Sequence, residues 1–378
     1  MPLQSQSEPS MRICHLIDNM YLDRGGPVAV VAGLAAAQVA AGADVSIVCQ
    51  AQLRFGEQMG EEHSLDAGVR LLVTGDASPA NINAALSTIS PDVIHVHGVW
   101  EAFHRRGTAW ARSNGVPWVL STHGMLHPSP MAKGWLKKRA YLLLLGSAVR
   151  GARRLLVTNE EERVFATRLT GRPAEVLVNG VDLSPTADVD ASLFSSARPQ
   201  LGHRPYLLFL GRIHPIKGLD KLVSAFAIAR RSGLDADLVL AGPLDGAEVA
   251  LAELACKLGI GADVHLVGAL YGREKASALA GCALFVHRPN YEGFGMAVVE
   301  AMAAGRPVLT TRECGVARAC PNGVMRVVPD DDATFASAMI ELCATDSYAS
   351  SMAANGQEWV ARELSWRNIA AKLNPWYC

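Results

Sequence analysis

The sequence has no long apolar run. Its longest uninterrupted one covers residues 140–145, far fewer than the roughly 18 that a membrane-spanning helix needs. Residues 1–10 are polar and lack an apolar core of the length found in signal peptides. These absences predict a cytoplasmic protein that is soluble or at most peripheral on the inner face of a membrane.

An excess of charge of one sign is also missing. The 35 Lys and Arg residues nearly balance the 36 Asp and Glu residues, and the formal net charge is −1. Because nucleic-acid-binding domains are usually strongly basic, this balance argues against a nucleic-acid partner. The eight cysteines are scattered without a C-x-x-C pair, which is typical of reduced thiols and excludes a disulfide or zinc framework.

What the chain does have is a regular alternation of strand-like and helix-like segments, which predicts an α/β protein with parallel sheets. In the first half we expect strands at residues 12–17, 44–49, 69–73, 93–96, 118–121, 155–158 and 175–178. Helices are expected between them at residues 27–41, 80–89, 101–113, 133–149 and 160–169. The alternation resumes with strands at residues 206–211, 237–241, 264–267, 284–287 and 307–310, and helices at 346–363 and 366–373 end the chain.

An interruption of this alternation of strands and helices predicts two domains. Residues 183–204 are rich in Pro, Asp and Ser and are expected to link an N-terminal domain, residues 1–182, to a C-terminal domain, residues 205–360. The last segment, 361–378, is expected to pack back on the N-terminal domain. Since ligands of open sheets bind at the carboxyl ends of the strands, a cleft between two such domains is where strand-to-loop residues matter.

The most informative motif is the glycine loop at residues 290–305, which runs directly into a helix. Gly293 and Gly295 permit a tight turn and close approach of a ligand to the backbone. The helix that follows presents free N–H groups to an anion. Glu292 and Glu300 are acceptor-only groups suited to hydroxyls, so a diphosphate carrying sugars would satisfy the whole segment.

Two further strand ends carry residues suited to phosphate. Arg212 and Lys217, each beside a glycine, could clamp a diphosphate, although Ile216 and Gly218 break the P-loop pattern of nucleoside triphosphatases. Gly25 and Gly26 precede a helix after the first strand, but the dinucleotide pattern G-x-G-x-x-G is absent.

Four histidines lie at or just after two predicted strands: His95, His97, His123 and His127. A metal cluster is conceivable, yet no H-E-x-x-H helix or carboxylate-rich partner accompanies them. We expect these side chains to line the cleft, with one of them donating to substrate. Three D-x-D patterns, at residues 188–190, 235–237 and 330–332, fall in apparent turns, and we assign them no metal.

Together, residues 211–218 and 292–308 resemble the signature of glycosyltransferase family 4, the group 1 retaining transferases. Residues 178–182 and 157–162 resemble the interdomain segment of that family and the helix start before it. Residues 287–290 depart from the usual Pro-Ser run, and Val178 stands where proline is common. The resemblance implies the GT-B fold, two Rossmann-like domains with parallel sheets facing an interdomain cleft, with acceptor bound by the first domain and nucleotide sugar by the second.

The resemblance also implies roles for individual residues. Arg212 and Lys217 would hold the donor diphosphate, Glu292 the donor sugar, and Glu300 the ribose hydroxyls. His123 would contact the donor sugar or the reacting centre. The residues implied to be catalytic are therefore Arg212, Lys217, Glu292 and His123. Backbone contacts to substrate are implied for Gly25, Gly26, Phe294, Gly295 and Met296.

The implied activity is that of a hexosyltransferase which moves a sugar from a nucleoside diphosphate to a saccharide or lipid-linked acceptor. It would serve polysaccharide or glycolipid biosynthesis and need no metal or other cofactor. One alternative is a nucleotide-sugar 2-epimerase of the same fold, which would need acid and base carboxylates in the N-terminal domain. Another is a non-catalytic sugar-nucleotide-binding protein, against which the intact Arg, Lys and Glu residues count.

A basic and aromatic segment at residues 133–145 leaves one further alternative open. It places Lys133, Lys137, Lys138 and Arg139 beside Trp, Tyr and Leu. Such a pattern suits a helix lying on an anionic membrane surface. It also suits a helix with one solvated basic turn and one core face.

Overall fold

The computed structural model describes residues 10–21, 26–51, 65–66, 68–183, 189–201, 204–344 and 346–377. These residues form two compact units. The first unit runs to Gly180 and resumes at Trp366, and the second extends from Val181 to Ser365. Phe194, in the segment expected to be a linker, is buried and donates its N–H to Ser277 Oγ at 2.9 Å within the second unit.

The first unit is built on a seven-stranded parallel sheet of order β3-β2-β1-β4-β5-β6-β7. Its strands are β1 Arg12–Asn19, β2 Asp44–Ala51, β3 Arg70–Val73, β4 Val93–His97, β5 Trp118–Ser121, β6 Arg154–Val157 and β7 Ala174–Val176. Its helices are α1 Gly26–Ala40, α2 Pro79–Ile89, α3 Ala102–Ser113, α4 Pro128–Ala132, α5 Trp135–Leu144, α6 Ser147–Gly151 and α7 Glu160–Thr170. The seven predicted strands are thereby confirmed.

One predicted helix of this unit is wrong in extent. The segment at residues 133–149 was expected to be continuous, but it is divided between α5 and α6, with α4 just before it. Gly134 adopts a left-handed φ of 78° at the start of α5, and Gly146 separates α5 from α6. Glycine interrupts a helix because its backbone is conformationally free and stabilises no helical turn.

The second unit contains a six-stranded parallel sheet of order β10-β9-β8-β11-β12-β13. Its strands are β8 Tyr206–Leu210, β9 Asp237–Ala241, β10 Val264–Gly268, β11 Leu284–His287, β12 Val308–Thr311 and β13 Arg326–Val328. Its helices are α8 Leu193–Ser196, α9 Leu219–Arg231, α10 Glu248–Lys257, α11 Gly272–Gly281, α12 Met296–Ala303, α13 Gly315–Ala319, α14 Asp332–Ala344 and α15 Asp346–Glu363. Strand β13, which is three residues long, was not predicted.

Both faces of the first sheet are covered, as parallel sheets require. On β1, Leu16 packs with α2 and α3, whereas Ile13 and Ile17 point to the opposite face. The opposite face is covered by α1 and by a last helix, α16 Trp366–Tyr377. A Cβ atom at Gly33 would lie 2.2 Å from the Trp366 ring, so α1 and α16 are in close contact.

Among the described residues, none of the helices combines the length and the apolarity required to cross a bilayer.

Candidate functional site

In the second unit, the loops after β8 and β11 meet where the strand order reverses. The two strands are neighbours in the sheet, and ligands of open sheets bind at such a switch point. Asn290 donates its N–H to Ile216 O at 3.0 Å and its side-chain amide to Pro215 O at 2.9 Å. Gly218 has a φ of 61°, and a Cβ there would lie 2.3 Å from Arg288 O. The loops are therefore joined closely enough to require glycine at this position.

This junction brings Lys217 and Glu292 into contact. Lys217 Nζ donates to Glu292 Oε2, and His287 Nε2 lies 3.3 Å from the same oxygen. The side chains of Lys217 and Glu292 are 16% and 19% exposed. Burial raises the pKa of Glu292, but Lys217 and His287 together outweigh it and hold that pKa well below the ordinary 4.5. Burial also lowers the pKa of His287, so an ionised carboxylate faces an ammonium and a neutral imidazole.

The same loop ends in the amino terminus of α12. Gly295 has a φ of 106°, and a Cβ there would lie 2.6 Å from Cys314 Sγ. Gly315 N and Val316 N donate to Glu292 O and Phe294 O at 3.0 and 2.8 Å, which fixes the loop against the start of α13. Gly295, the N-cap residue of α12, has no side chain to cap the helix, so the first N–H groups, those of Met296 and Ala297, are available to an anion.

Two other predicted site residues have ion-pair partners of their own. Glu300 Oε1 lies 3.0 Å from Lys275 Nζ, a partly buried pair that sequence reasoning missed. Arg212 pairs with Asp245 at 2.8 Å, and these side chains are 47% and 44% exposed. Since exposed ion pairs contribute little, the Arg212 guanidinium is free to change partner at small energetic cost. The ring of Phe294 is buried and its carbonyl accepts from Val316 N, so a substrate contact would have to come from its backbone N–H.

The aspartates at residues 330–332 have a structural role. Asp330 and Asp332 accept from the buried Arg288 guanidinium at 2.8 and 2.6 Å. Arg288 also donates to Lys221 O at 2.8 Å. These contacts anchor the end of β11, just before Glu292, to α9 and to the start of α14.

In the first unit, His123 occupies a tight turn after β5. It has a positive φ of 51°, a region in which histidine is enriched among non-glycine residues. The buried carboxylate of Glu162 holds this turn: it accepts from Thr122 Oγ1 at 2.6 Å and from Leu126 N at 3.1 Å. Burial raises the pKa of Glu162. The imidazole of His123 lines a pocket that Ser121, Thr158, Asn179 and Trp366 also line.

His123 is also the end of a buried group of histidines. Strand register places His15 of β1 opposite His95 of β4, and side-chain alternation turns both, with His97, towards α1 and α16. His15 Nδ1 lies 2.9 Å from His97 Nε2, and His97 Nδ1 lies 3.0 Å from His123 Nε2. His15 Nε2 lies 2.7 Å from Gln38 Oε1, and Gln38 Nε2 donates to Tyr377 OH at 3.0 Å.

Three of these histidines are close enough to hold a metal ion, because ligand atoms of His15, His95 and His97 lie within 4.8 Å of one another. Each of their six ring nitrogens, however, already has a hydrogen-bond partner. Those of His95 are Tyr377 OH and Ser121 Oγ, both at 2.8 Å. The arrangement therefore fits a hydrogen-bonded network better than a metal centre.

The remaining predicted residues of the first unit have simpler positions. His127 accepts from Ser129 N at 3.2 Å and thereby caps α4, and its Nε2 lies 3.2 Å from Glu161 Oε2. Gly26 is the first residue of α1. Gly25 lies outside the described residues.

Two family models match the chain. The model of glycosyl transferases group 1 matches residues 194–359, and that of the glycosyl transferase 4-like domain matches residues 25–181. Alpha-maltose-1-phosphate synthase of Mycobacterium tuberculosis is 30% identical over 339 residues, which cover 78% of this chain and 84% of that protein. This chain belongs to the group 1 glycosyltransferases.

Other similarities extend over almost the whole of this group 1 glycosyltransferase. GDP-mannose:cellobiosyl-diphosphopolyprenol alpha-mannosyltransferase of Xanthomonas campestris is 25% identical over 376 residues, 96% of this chain and 95% of that protein. The structure of Anabaena HepE in complex with UDP and glucose matches with a TM-score of 0.78 at 19% identity, over 97% of this chain and 98% of that one. With its two parallel sheets, the enzyme is a hexosyltransferase of the two-domain α/β GT-B fold.

Sequence reasoning missed several residues of this glycosyltransferase that contact the predicted site residues. His287 and Lys275 touch Glu292 and Glu300, whereas Gln38 and Tyr377 complete the histidine network. Of these four residues, only His287 could have been identified from the sequence, because it is the last residue of a strand beside the switch point. The others lie on helices, where no motif marks them.

Proposed function

We propose that this glycosyltransferase moves a hexosyl group from a nucleoside diphosphate sugar to a saccharide or lipid-linked acceptor, with retention of configuration, in polysaccharide or glycolipid biosynthesis. The observation that carries this proposal is the contact of Lys217, in the loop after β8, with Glu292, in the loop that leads to the glycine N-cap of α12. An ammonium and free N–H groups suit a diphosphate, and a carboxylate suits sugar hydroxyls.

The names of similar proteins support this substrate class. The Xanthomonas relative is named for GDP-mannose and for an acceptor carried on a diphosphopolyprenol. The Anabaena structure holds UDP and glucose. A nucleoside diphosphate and a hexose are common to both names, whereas the base and the sugar differ between them.

In the proposed reaction, Lys217 and Arg212 stabilise the negative charge that develops on the leaving diphosphate. Preorganised cations and N–H groups are expected to supply the largest catalytic contribution. The bond from the anomeric carbon to the phosphate oxygen breaks while the acceptor oxygen bonds to the same face of the sugar. The acceptor proton passes to the leaving phosphate oxygen, so no protein nucleophile and no metal ion are required.

Glu292 and Glu300 have separate tasks in this proposal. Glu292 exchanges its contact with Lys217 for hydroxyls of the transferred sugar when the diphosphate engages the ammonium group. Glu300 accepts from the ribose hydroxyls and is held in place by Lys275. His123 contacts the donor sugar from the first domain.

Donor binding and turnover test the proposal. Thermal unfolding should be measured in the presence of UDP, GDP and ADP and of their hexose derivatives. The compounds that carry one of the three bases should raise the melting temperature, since a ligand that binds only the folded state raises its stability. With that donor, Lys217→Ala should lower turnover at least tenfold. Lys221→Ala is the matched control, because Lys221 also pairs with a carboxylate, Asp330. Unchanged turnover in Lys217→Ala would refute the assignment of the diphosphate site.

We further propose that α5 binds an anionic membrane surface. Leu136, Leu143 and Leu144 are 80%, 70% and 79% exposed on this helix, instead of forming a core face. Lys137 and Arg139 are exposed on the same helix. Exposed leucines flanked by cations suit the boundary between lipid headgroups and acyl chains.

The structure shows which side chains of α5 should be substituted to test membrane binding. Lys138 donates to Pro130 O at 2.5 Å and lies over the Trp100 ring, so it is engaged within the protein. Sedimentation with phosphatidylglycerol-containing vesicles should weaken when Leu136, Leu143 and Leu144 become Ser, or when Lys137 and Arg139 become Ser. Leu244→Ser, at a position 58% exposed in the second unit, should leave it unchanged. Failure of the unaltered protein to bind at low salt would refute the proposal.

A further inference from the structure

A continuous line of side-chain hydrogen bonds connects Tyr377 of α16 to His123. It passes through Gln38 of α1 and then through His15 and His97. We call His15, His97 and His123 the imidazole chain. Within the part of the protein that the structure describes, His123 Nδ1 makes no hydrogen bond, so this nitrogen is left for a ligand.

All three members of the imidazole chain are neutral near pH 7. Burial lowers the pKa of His15 and of His123 to about 4, and burial together with the neighbouring histidines lowers the pKa of His97 well below 6.5. A neutral imidazole has one N–H donor and one acceptor nitrogen. The state of one ring therefore dictates the state of the next along the chain.

The orientation of Gln38 sets the direction of this chain. Because Gln38 Oε1 can only accept, His15 carries its proton on Nε2 and accepts through Nδ1. His97 must then donate from Nε2 to His15 and accept through Nδ1. His123 in turn donates from Nε2 to His97, which leaves its Nδ1 as an acceptor.

A second branch of contacts runs from the other end of the Gln38 amide and is fully satisfied in the same orientation. Gln38 Nε2 donates to Tyr377 OH, which donates to His95 Nδ1 at 2.8 Å. His95 then donates from Nε2 to Ser121 Oγ at 2.8 Å. A Gln38 amide turned over by 180° would reverse every bond on both branches and make His123 Nδ1 a donor.

We propose that Gln38 is a positioning residue that fixes the tautomer of His123, so that Nδ1 of His123 accepts a hydrogen bond from a hydroxyl of the sugar substrate. This inference rests on the proposed function only in taking His123 as the sugar contact. Gln38 acts through His15 and His97, and its effect is on the direction of one hydrogen bond.

The tautomers are measurable without any ligand by NMR of the protein labelled with ¹⁵N in its histidine rings. In the unaltered protein, His15, His97, His123 and His95 should all carry their proton on Nε2. A proton on Nδ1 of His123 would overturn the proposal directly.

Two substitutions of Gln38 have opposite expected effects. In Gln38→Glu, the carboxylate still accepts from His15, so the imidazole chain keeps its state. It also accepts from Tyr377, so Tyr377 no longer donates to His95 and the proton of His95 moves to Nδ1. In Gln38→Leu, a buried N–H of His15 would have no acceptor, which is rarely tolerated, and the chain should reverse to place a proton on Nδ1 of His123.

Transfer kinetics connect the tautomer to the reaction. Gln38→Leu should lower kcat/KM on the order of tenfold, the effect of losing one hydrogen bond in the transition state. Gln38→Glu should keep most of the kcat/KM of the unaltered protein. Tyr206→Phe, which loses a comparable buried hydroxyl contact to Ala278 O in the second unit, is the control and should change neither spectrum nor rate.

The outcomes separate this inference from the proposed function. If the His123 tautomer responds to Gln38 but kcat/KM does not, the positioning role is refuted while the transferase remains. If the tautomers follow the expected pattern but no nucleoside diphosphate sugar is a substrate, the proposed function fails and only the hydrogen-bond network stands.

Discussion

The Lys217–Glu292 ion pair makes a quantitative prediction about stability. In Lys217→Met the ammonium is lost, and Glu292 keeps only the neutral His287 at 3.3 Å. Exposed ion pairs contribute about 0–1 kcal/mol, and breaking a fully buried pair costs about 3–5 kcal/mol. With side chains 16% and 19% exposed, the pair lies nearer the buried limit. We expect a loss of about 2–3 kcal/mol in the free energy of unfolding at pH 7.

The loss should depend on pH in a defined direction. The pKa of Glu292 is held below 4.5 in the folded protein, so this group stabilises the protein above pH 4.5 and loses that effect as pH falls through the folded pKa. Without Lys217, burial raises that pKa, and protonation of Glu292 relieves the unpaired charge as pH falls. The difference between the two proteins should therefore shrink on acidification towards pH 4.

A second substitution isolates the cause. Glu292→Gln added to Lys217→Met removes the unpaired charge and should recover most of the lost stability, because replacing both partners costs far less than removing one. Urea unfolding followed by ¹⁹F NMR of 5-fluorotryptophan provides the measurement, since Trp359 is the single tryptophan between Val181 and Ser365. Equal losses at pH 7 and pH 4, or a double variant no more stable than Lys217→Met, would refute the reasoning.

Two further predictions concern the first unit. Gly33→Ala should loosen α16 and expose it to limited proteolysis, because the added Cβ would lie 2.2 Å from Trp366. An unchanged digestion pattern would contradict this prediction. Gly42→Ala is a control for backbone strain, because a Cβ there would have no atom within 4 Å but Gly42 has a φ of 90°. Glu162→Gln should lower stability by about 1–3 kcal/mol, because an amide cannot accept from both Leu126 N and Thr158 N, and a melting temperature equal to that of the unaltered protein would contradict this prediction.

Much of the fold could be predicted from local pattern. Strands such as β8, which is buried along its whole length, are continuous apolar runs in the sequence. Loops after those strands stood out because glycine, arginine and lysine interrupt the apolar pattern. Lys217 and Glu292 are 75 residues apart, yet their contact follows from β8 and β11 being neighbours in the sheet.

Side-chain partners were much harder to predict. Arg212 was grouped with Lys217 by sequence, but its ion pair is with Asp245 on the loop after β9. Predicted as one helix, residues 133–149 became α5 and α6, and three leucines of α5 face solvent. Local periodicity indicates which face of a helix is apolar, but not whether a neighbouring element covers it.

The sequence by itself therefore determined most of the strands and helices and the two α/β domains, and it predicted the loop residues suited to a nucleoside diphosphate sugar. Only the tertiary structure decided that Glu292 is shared by Lys217 and His287, and that Gln38 and Tyr377 are connected to His123 by side-chain hydrogen bonds. The physical reason is that a hydrogen bond depends on positions within a few tenths of an ångström. Gln38 and His15 are 23 residues apart, and His95 and Tyr377 are 282 residues apart. Their contacts arise from the packing of α1 and α16 on the sheet, which no local pattern specifies.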